Sequence, residues 1–195
     1  MQRTLRNQFD ETQMRFINVF YIEQKNVSET AIILKMSENT VRLMKKKFKD
    51  LKAGETVIGK SFENVIEGRD KWKSKKIGGN FWDFYNWYLT ADKKCYYCKL
   101  TEKKLAKLHE IGIVNKRKTR GQKLEIDRKI ANEEYQNISN LTYSCYWCNN
   151  AKTDTFTEDE FIKIGKTIGL VWEERLKVLG ESELTAQELK KSTSN

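Results

Sequence analysis

Four cysteines, all that this 195-residue chain contains, fall into two pairs of the same spacing: Cys95-Tyr-Tyr-Cys98 and Cys145-Tyr-Trp-Cys148. Each CxxC can fold as a tight knuckle that points both sulfurs at one ion, so together they make the closed ligand set of a structural zinc site. Two redox-active pairs are the alternative, but neither lies in the strand–helix–strand setting of a thioredoxin-like site. The chain is therefore expected to bring two distant segments together around Zn²⁺, with a small folded unit inserted between them.

The charge of the chain points to a polyanionic partner. It has 37 Lys and Arg against 27 Asp and Glu, a formal net charge of +10, which indicates nucleic acid first and an anionic membrane surface second. A merely soluble basic protein is the alternative. No apolar run is long enough for a transmembrane helix, and the first residues lack the apolar core of a secretory signal. We therefore expect a cytoplasmic, nucleoid-associated protein without a membrane partner, where reduced thiols favour metal binding over disulfides.

Residues 1–52 show the pattern of a helix-turn-helix. Ser28 is the expected N-cap of a first helix, Lys35 and Met36 form the turn, and Ser37 caps a second helix. Ala31 is small enough to let the two helices approach, and apolar side chains fill the angle between them. The pattern resembles the helix-turn-helix of DNA-binding regulators and sigma-like factors, and the residues that carry the resemblance are Ala31, Leu34, Met36, Ser37, Thr40 and Val41. Lys35 replaces a common glycine, so it is expected in the left-handed conformation.

The second helix of this motif carries the predicted DNA contacts. Its N-terminal side chains would face a major groove and its lysines would meet phosphates. The candidates are Asn39, Arg42, Lys45 and Lys46. The alternative is an ordinary helical hairpin whose lysine face is solvated.

The rest of the chain divides by composition. Residues 53–80 are interrupted by several glycines and are predicted to be a connector, and residues 81–180 form the second domain. That domain opens on FWDFYNWYLT, whose aromatic residues share one helical face and indicate core. Residues 181–195 are expected to be a polar, fraying tail. The predicted fold class is α+β, mainly helical.

The unit inserted between the cysteine pairs has the pattern strand, loop, strand, helix. LEID is the first strand, NLTYSC the second, and the helix begins at CNNAK. The ordered features CYYC, LEIDRK and NISNLTYSCYWCNNAKTD resemble the HNH endonuclease family, in its subgroup with a structural four-cysteine zinc. The resemblance covers roughly residues 81–165. It implies a ββα-metal fold and cleavage of double-stranded DNA with one divalent metal ion.

The resemblance also implies roles for particular residues. Asp127, which ends the first strand, and Asn149, directly after the second cysteine pair, match the family's metal ligands, and Asn140 matches the residue that braces the loop between the strands. Carboxylate and amide oxygens are hard ligands that suit Mg²⁺ or Mn²⁺. Lys152 matches a phosphate contact, with a surface lysine as the alternative. Glu125 should face the same side of the strand as Asp127, where it supports the metal or faces solvent.

One position departs from the family pattern. Arg128 stands where the general base, a histidine, is expected, and arginine stays protonated, so it cannot accept the proton. Arg128 could instead clamp the scissile phosphate. The base is left open among His109, which is expected on a surface helix, Tyr135, Glu133, Glu134 and hydroxide bound to the metal.

Two other functions stay open at this point. One is a non-catalytic DNA-binding regulator with a degenerate HNH zinc module, which Arg128 favours. The other is a structural zinc domain in a larger assembly, which would leave the placement of Asp127 and Asn149 as coincidence. If the chain cuts both strands through a single site of this type, a homodimer is favoured.

Overall fold

The computed structural model describes residues 8–54, 56–110, 112 and 121–192. The chain divides into two compact units, Met1–Leu89 and Thr90–Asn195. The described residues are mainly helical, with a small antiparallel sheet. Among the described residues, no helix has the length and apolar character needed to cross a bilayer.

Helices, four of them with side-chain N-caps, build the first unit. Asn26 accepts from the backbone N–H of Glu29, whose carboxylate accepts from the Asn26 N–H in return, and this reciprocal box starts the helix before the predicted cap, Ser28. The elements are α1 (Glu11–Phe16), which continues as a π-helix (Ile17–Ile22), α2 (Val27–Leu34), α3 (Glu38–Ala53), α4 (Val57–Ser74) and α5 (Phe81–Thr90).

The helix pair α2 and α3 has the left-handed turn residue and the N-cap that the sequence predicted. Lys35 ends α2 with φ of 54°, in the left-handed region, and Ser37 caps α3 by accepting from the Thr40 N–H. Ala31, Leu34 and Val41 are buried at the packed faces. The four predicted DNA contacts all lie exposed along α3: Asn39, Arg42, Lys45 and Lys46.

The predicted connector at residues 53–80 differs from the structure, because most of it is α4. The Phe48 ring of α3 lies 5.0 Å from the Phe62 ring of α4, so α4 is part of the core of this unit. Gly68, one of the glycines that suggested a break, instead allows close packing: a Cβ at this position would lie 2.8 Å from the Tyr85 ring of α5.

The predicted domain boundary at residue 81 also shifts. The Trp82 indole N–H donates to Asn18 Oδ1 over 3.0 Å, and the Trp72 and Phe81 rings lie 5.6 Å apart. The aromatic segment therefore belongs to the first unit. The unit ends at Leu89.

The second unit holds the predicted ββα pattern. Strands β1 (Glu125–Arg128) and β2 (Leu141–Ser144) pair antiparallel, with Glu125 opposite Ser144 and Arg128 opposite Leu141. Both strands lie within one residue of the predicted ones. Around them are α6 (Glu102–Glu110), a 3₁₀ turn (Ile138–Asn140), α7 (Tyr146–Lys152) and α8 (Glu158–Ser192).

Helix α8 begins as predicted and extends further than predicted. Thr157 and Glu160 exchange hydrogen bonds at its start, which confirms the expected cap. The helix continues through most of the predicted tail, and residues 193–195 of that tail lie outside the described residues.

Two glycines bring α8 against the first cysteine knuckle. A Cβ at Gly165 would lie 2.5 Å from Tyr97 Cβ and 2.9 Å from the Tyr97 carbonyl carbon, and one at Gly169 would lie 2.8 Å from the Cys98 carbonyl oxygen. Because backbone atoms occupy this space, a side chain at either position would separate the helix from the knuckle.

This packing makes a prediction about stability. Gly165→Ala should lower the free energy of unfolding of the second unit by about 2 kcal/mol, because overpacking against a backbone cannot relax cheaply. The matched control is Gly180→Ala in the same helix, where a Cβ would meet no other described part of the chain within 4 Å; it should be neutral or stabilising by up to about 1 kcal/mol. Chemical denaturation of the zinc-loaded variants checks this, and equal effects at the two glycines would contradict it.

Candidate metal centre and active site

The two cysteine pairs meet in one buried cluster. The four sulfurs of Cys95, Cys98, Cys145 and Cys148 lie within 4.8 Å of one another, and all four are buried free thiols. The Cys98 and Cys145 sulfurs are 3.7 Å apart. Zn–S bonds of about 2.3 Å in a tetrahedron put sulfurs about 3.8 Å apart, so the cluster fits zinc.

Backbone hydrogen bonds shape the knuckles and join them to the sheet. The Cys95 N–H donates to the Leu100 carbonyl over 2.8 Å, and the Tyr96 N–H donates to the Tyr143 carbonyl of β2 over 2.7 Å. In the second knuckle, Cys145 caps α7, since its sulfur accepts from the Cys148 N–H over 3.5 Å. The cluster thus fixes the first knuckle, the end of β2 and the start of α7 together.

The thiols do not ionise independently. Hydrogen bonds from the thiols of Cys145, Cys148 and Cys98 hold the pKa of Cys95 far below its usual range. The hydrogen-bonded partner Cys145, followed by Cys95 and Cys98, raises the pKa of Cys148. One thiolate therefore forms easily while further negative charge is opposed, and a divalent cation is what would allow all four to ionise.

The face of β1 that meets α7 carries two polar pairs. Glu125 and Asp127 alternate onto this face, and Asn149 and Lys152 lie three apart on the facing side of the helix. The Asn149 amide nitrogen donates to Glu125 Oε2 over 2.8 Å. The Lys152 ammonium lies 3.2 Å from Asp127 Oδ2. Glu125 thus orients Asn149, and the predicted ligand residues come from adjacent elements.

One oxygen of the Asp127 carboxylate could still coordinate a metal ion. Asp127 is buried, and its Oδ1 accepts from the Arg128 N–H over 2.8 Å. Its Oδ2 has an ion pair with Lys152 but no hydrogen bond of acceptable geometry within the described part of the chain. Because the Asn149 amide nitrogen is turned to Glu125, its oxygen is left for another partner. An oxygen from each residue fits a hard divalent cation.

Lys152 lies buried in the second unit and not at its surface. Its side chain is 2% exposed, so neither a direct phosphate contact nor a surface lysine describes it. Besides the Asp127 carboxylate, its ammonium donates to the Tyr97 hydroxyl over 2.9 Å and to the Arg128 carbonyl. Tyr97 was not predicted as a site residue, and its sequence signal is its place inside the first CxxC.

Arg128 and Asn140 hold the loop between the strands. The Arg128 guanidinium lies 4.7 Å from the centre of the Tyr135 ring and donates to the Glu133 carbonyl over 2.8 Å. The buried Asn140 side chain accepts from the Ile130 N–H over 2.8 Å and donates to the Ile130 carbonyl over 3.2 Å. The loop is therefore fixed at both ends by side chains next to the strands.

His109 is not the surface residue that the sequence suggested. It is 5% exposed, its Nε2 lies 2.7 Å from the Gly121 carbonyl, and its ring packs 5.9 Å from Trp147. Leu105, Leu108 and His109 are all buried on one face of α6, a helical spacing that the sequence already contained. Glu133 and Glu134 are exposed.

Comparison with known proteins gives one limited similarity. No family model matches the chain, and no curated protein matches it. Among solved structures, the chain is similar to the rare-cutting HNH restriction endonuclease PacI, with 27% identity and a TM-score of 0.46, over 55% of this chain and 80% of that one.

The cysteine cluster makes a prediction about metal content. The purified protein should carry one zinc ion per chain, and Cys148→Ser should lose it together with helical structure in the second unit, because the ligand and the α7 cap act together. Elemental analysis and circular dichroism measure the two effects. A protein that forms two disulfides in air and holds no zinc when reduced would restore the redox alternative.

Proposed function

We propose that this chain is a metal-dependent DNA endonuclease of the HNH type. The observation that carries the proposal is the face between β1 and α7, where Asp127 lies buried beside the helix and Glu125 holds the Asn149 amide. The ββα pattern of the sequence, the zinc-type cysteine cluster and the basic charge support the same function. A purely structural zinc domain would have no need of this polar face.

Each residue of the site has a proposed role. Asp127 and Asn149 would hold Mg²⁺ or Mn²⁺, which when bound supplies stabilisation of the negative charge that develops on the leaving oxygen. Glu125 orients Asn149, and Asn140 fixes the loop through Ile130. Arg128 would clamp the scissile phosphate with guanidinium donors not used by Glu133.

Tyr135 is the candidate for the general base that the structure favours. Its ring centre lies 4.7 Å from the guanidinium of Arg128, the residue after Asp127, whereas the imidazole of His109 is buried against Gly121 and Trp147. We propose that Arg128 positions Tyr135 beside the phosphate. Tyr135→Phe would remove the proton acceptor and retain the ring beside Arg128.

Helix α3 is proposed to hold the DNA. Its cationic side chains are exposed, and the Arg42 guanidinium is kept along the helix by Glu38, 2.6 Å away, which in turn accepts from the Ser28 hydroxyl over 2.5 Å. A single site cuts one strand at a time, so cleavage of both strands at one place would favour a homodimer.

A non-catalytic DNA-binding regulator is the second candidate. Two observations favour it: the Asp127 carboxylate is paired with Lys152, and Arg128 stands in place of a base. It predicts DNA binding without cleavage under any metal condition, so the cleavage assay separates the two functions.

The cleavage prediction tests the site directly. The protein should nick supercoiled plasmid in Mg²⁺ or Mn²⁺, and Asp127→Ala and Asn149→Ala should each reduce the rate by about 100-fold or more, because a missing ligand weakens transition-state stabilisation. Asp154→Ala and Asn150→Ala are matched controls at exposed positions and should retain activity.

Two results would contradict this prediction. Absence of nicking at every metal concentration would favour the regulator, and unimpaired Asp127→Ala and Asn149→Ala would mean that the active site lies elsewhere. Zinc content and DNA affinity of each variant show whether it is folded.

The targeting role of α3 has its own prediction. Replacing Asn39, Arg42, Lys45 and Lys46 with alanine should weaken duplex binding at least tenfold and reduce the slope of log affinity against log salt by about 0.9 for each phosphate that the helix no longer neutralises. Fluorescence anisotropy over a salt series measures both. Lys60→Ala with Lys71→Ala on α4 is the control for general charge, and an equal effect there would remove the specific role of α3.

A further inference from the structure

Lys152 is a fully buried cation with two hydrogen-bond acceptors and one ion-pair partner. The residue is 1% exposed, and an ammonium group has three N–H donors. Three oxygens surround it: Asp127 Oδ2 at 3.2 Å, the Tyr97 hydroxyl at 2.9 Å and the Arg128 carbonyl. Because a buried charge without partners is very unfavourable, these contacts fix the ammonium in place beside Asp127.

Tyr97 supports the same arrangement. Its hydroxyl accepts a hydrogen bond from the Lys152 ammonium over 2.9 Å. It lies 3.5 Å from the Arg128 carbonyl, and its ring packs 4.9 Å from Phe161 of α8. Lys152 has no second carboxylate among these partners, so Asp127 alone balances its charge.

The pairing changes what Asp127 offers to a metal. A carboxylate attracts a divalent cation through its negative charge, but the adjacent ammonium cancels that charge and repels the cation. Lys152 cannot move to solvent without breaking three contacts in a packed interior. The Asp127 carboxylate is thus well placed to coordinate a metal ion, but its electrostatic attraction for the cation is reduced.

We propose that Lys152 is a positioning residue that serves as the fixed counter-charge of Asp127 and keeps the divalent metal site weak until DNA arrives. The inference rests on the proposed function and adds regulation of the same site. A phosphate of the bound duplex would supply the negative charge that Lys152 cancels, so that the cation is bound tightly only when substrate is present. The free protein would then remain largely without its catalytic metal.

The test measures Mn²⁺ binding by electron paramagnetic resonance, with and without a mixed-sequence duplex. Lys152→Met keeps the unbranched apolar chain and removes the charge, so the dissociation constant for Mn²⁺ without DNA should fall by about tenfold or more. Lys166→Met makes the same change at an exposed position of α8 and should leave Mn²⁺ binding unchanged. Zinc content and circular dichroism establish that each variant is folded.

Three outcomes would overturn the inference. A folded Lys152→Met that binds Mn²⁺ no more tightly than the wild type would show that the lysine has only a packing role. A wild type that binds Mn²⁺ equally well with and without duplex would contradict the dependence on DNA, and this measurement holds even if the variant fails to fold. Neither result affects plasmid nicking by the wild type, whereas absence of Mn²⁺ binding in every protein and condition would overturn the proposed active site as well.

Discussion

The four-cysteine cluster is the constraint on which the second unit depends. Its ligands come from two segments far apart in the chain, and one of them, Cys145, also caps α7. Without the cluster, the small two-stranded sheet would have little to fix it, because a single strand pair is marginal in water. With it, β2 and α7 are joined through the second knuckle, and the first knuckle is held to β2 through Tyr96.

The fixed arrangement of β2 and α7 determines the polar face between β1 and α7. Two side chains from the strand and two from the helix pair across it, and none of the four could be placed by its own element alone. A buried ion pair contributes little net stability on average, because desolvation opposes the Coulomb attraction. The ion pair of Asp127 and Lys152 is thus better explained by a role in the site than by a contribution to folding stability. Its effect is therefore expected in metal binding.

Much of this architecture could be predicted from local sequence. The strands, the cysteine knuckles, the cap at Thr157 and the left-handed Lys35 all depend on residues within a few positions of one another. Features that depend on distant residues could not be predicted. Lys152 looks like a surface lysine until Tyr97 and Asp127 are seen around it, and Gly68 looks like a helix breaker until the Tyr85 ring is seen against it.

The contacts of the α8 glycines and the burial of His109 are two further features that local sequence did not predict. Gly165 and Gly169 lie one turn apart, a spacing that allows a close helix contact, but nothing local says that the contact is with Tyr97 and Cys98. His109 shared a buried helical face with two leucines, and the surrounding lysines obscured that pattern.

The double use of Cys145 has a consequence for how the protein matures. Its sulfur caps α7 within the second knuckle, whereas a site of four cysteines forms only when the two knuckles meet, and Asn149 and Lys152 lie on that helix. If zinc holds the start of α7 in place, the hard oxygen site proposed at Asp127 would be complete only after the soft thiolate site is loaded. The chain would acquire two chemically different metals in a fixed order, with the fold itself as the step between them.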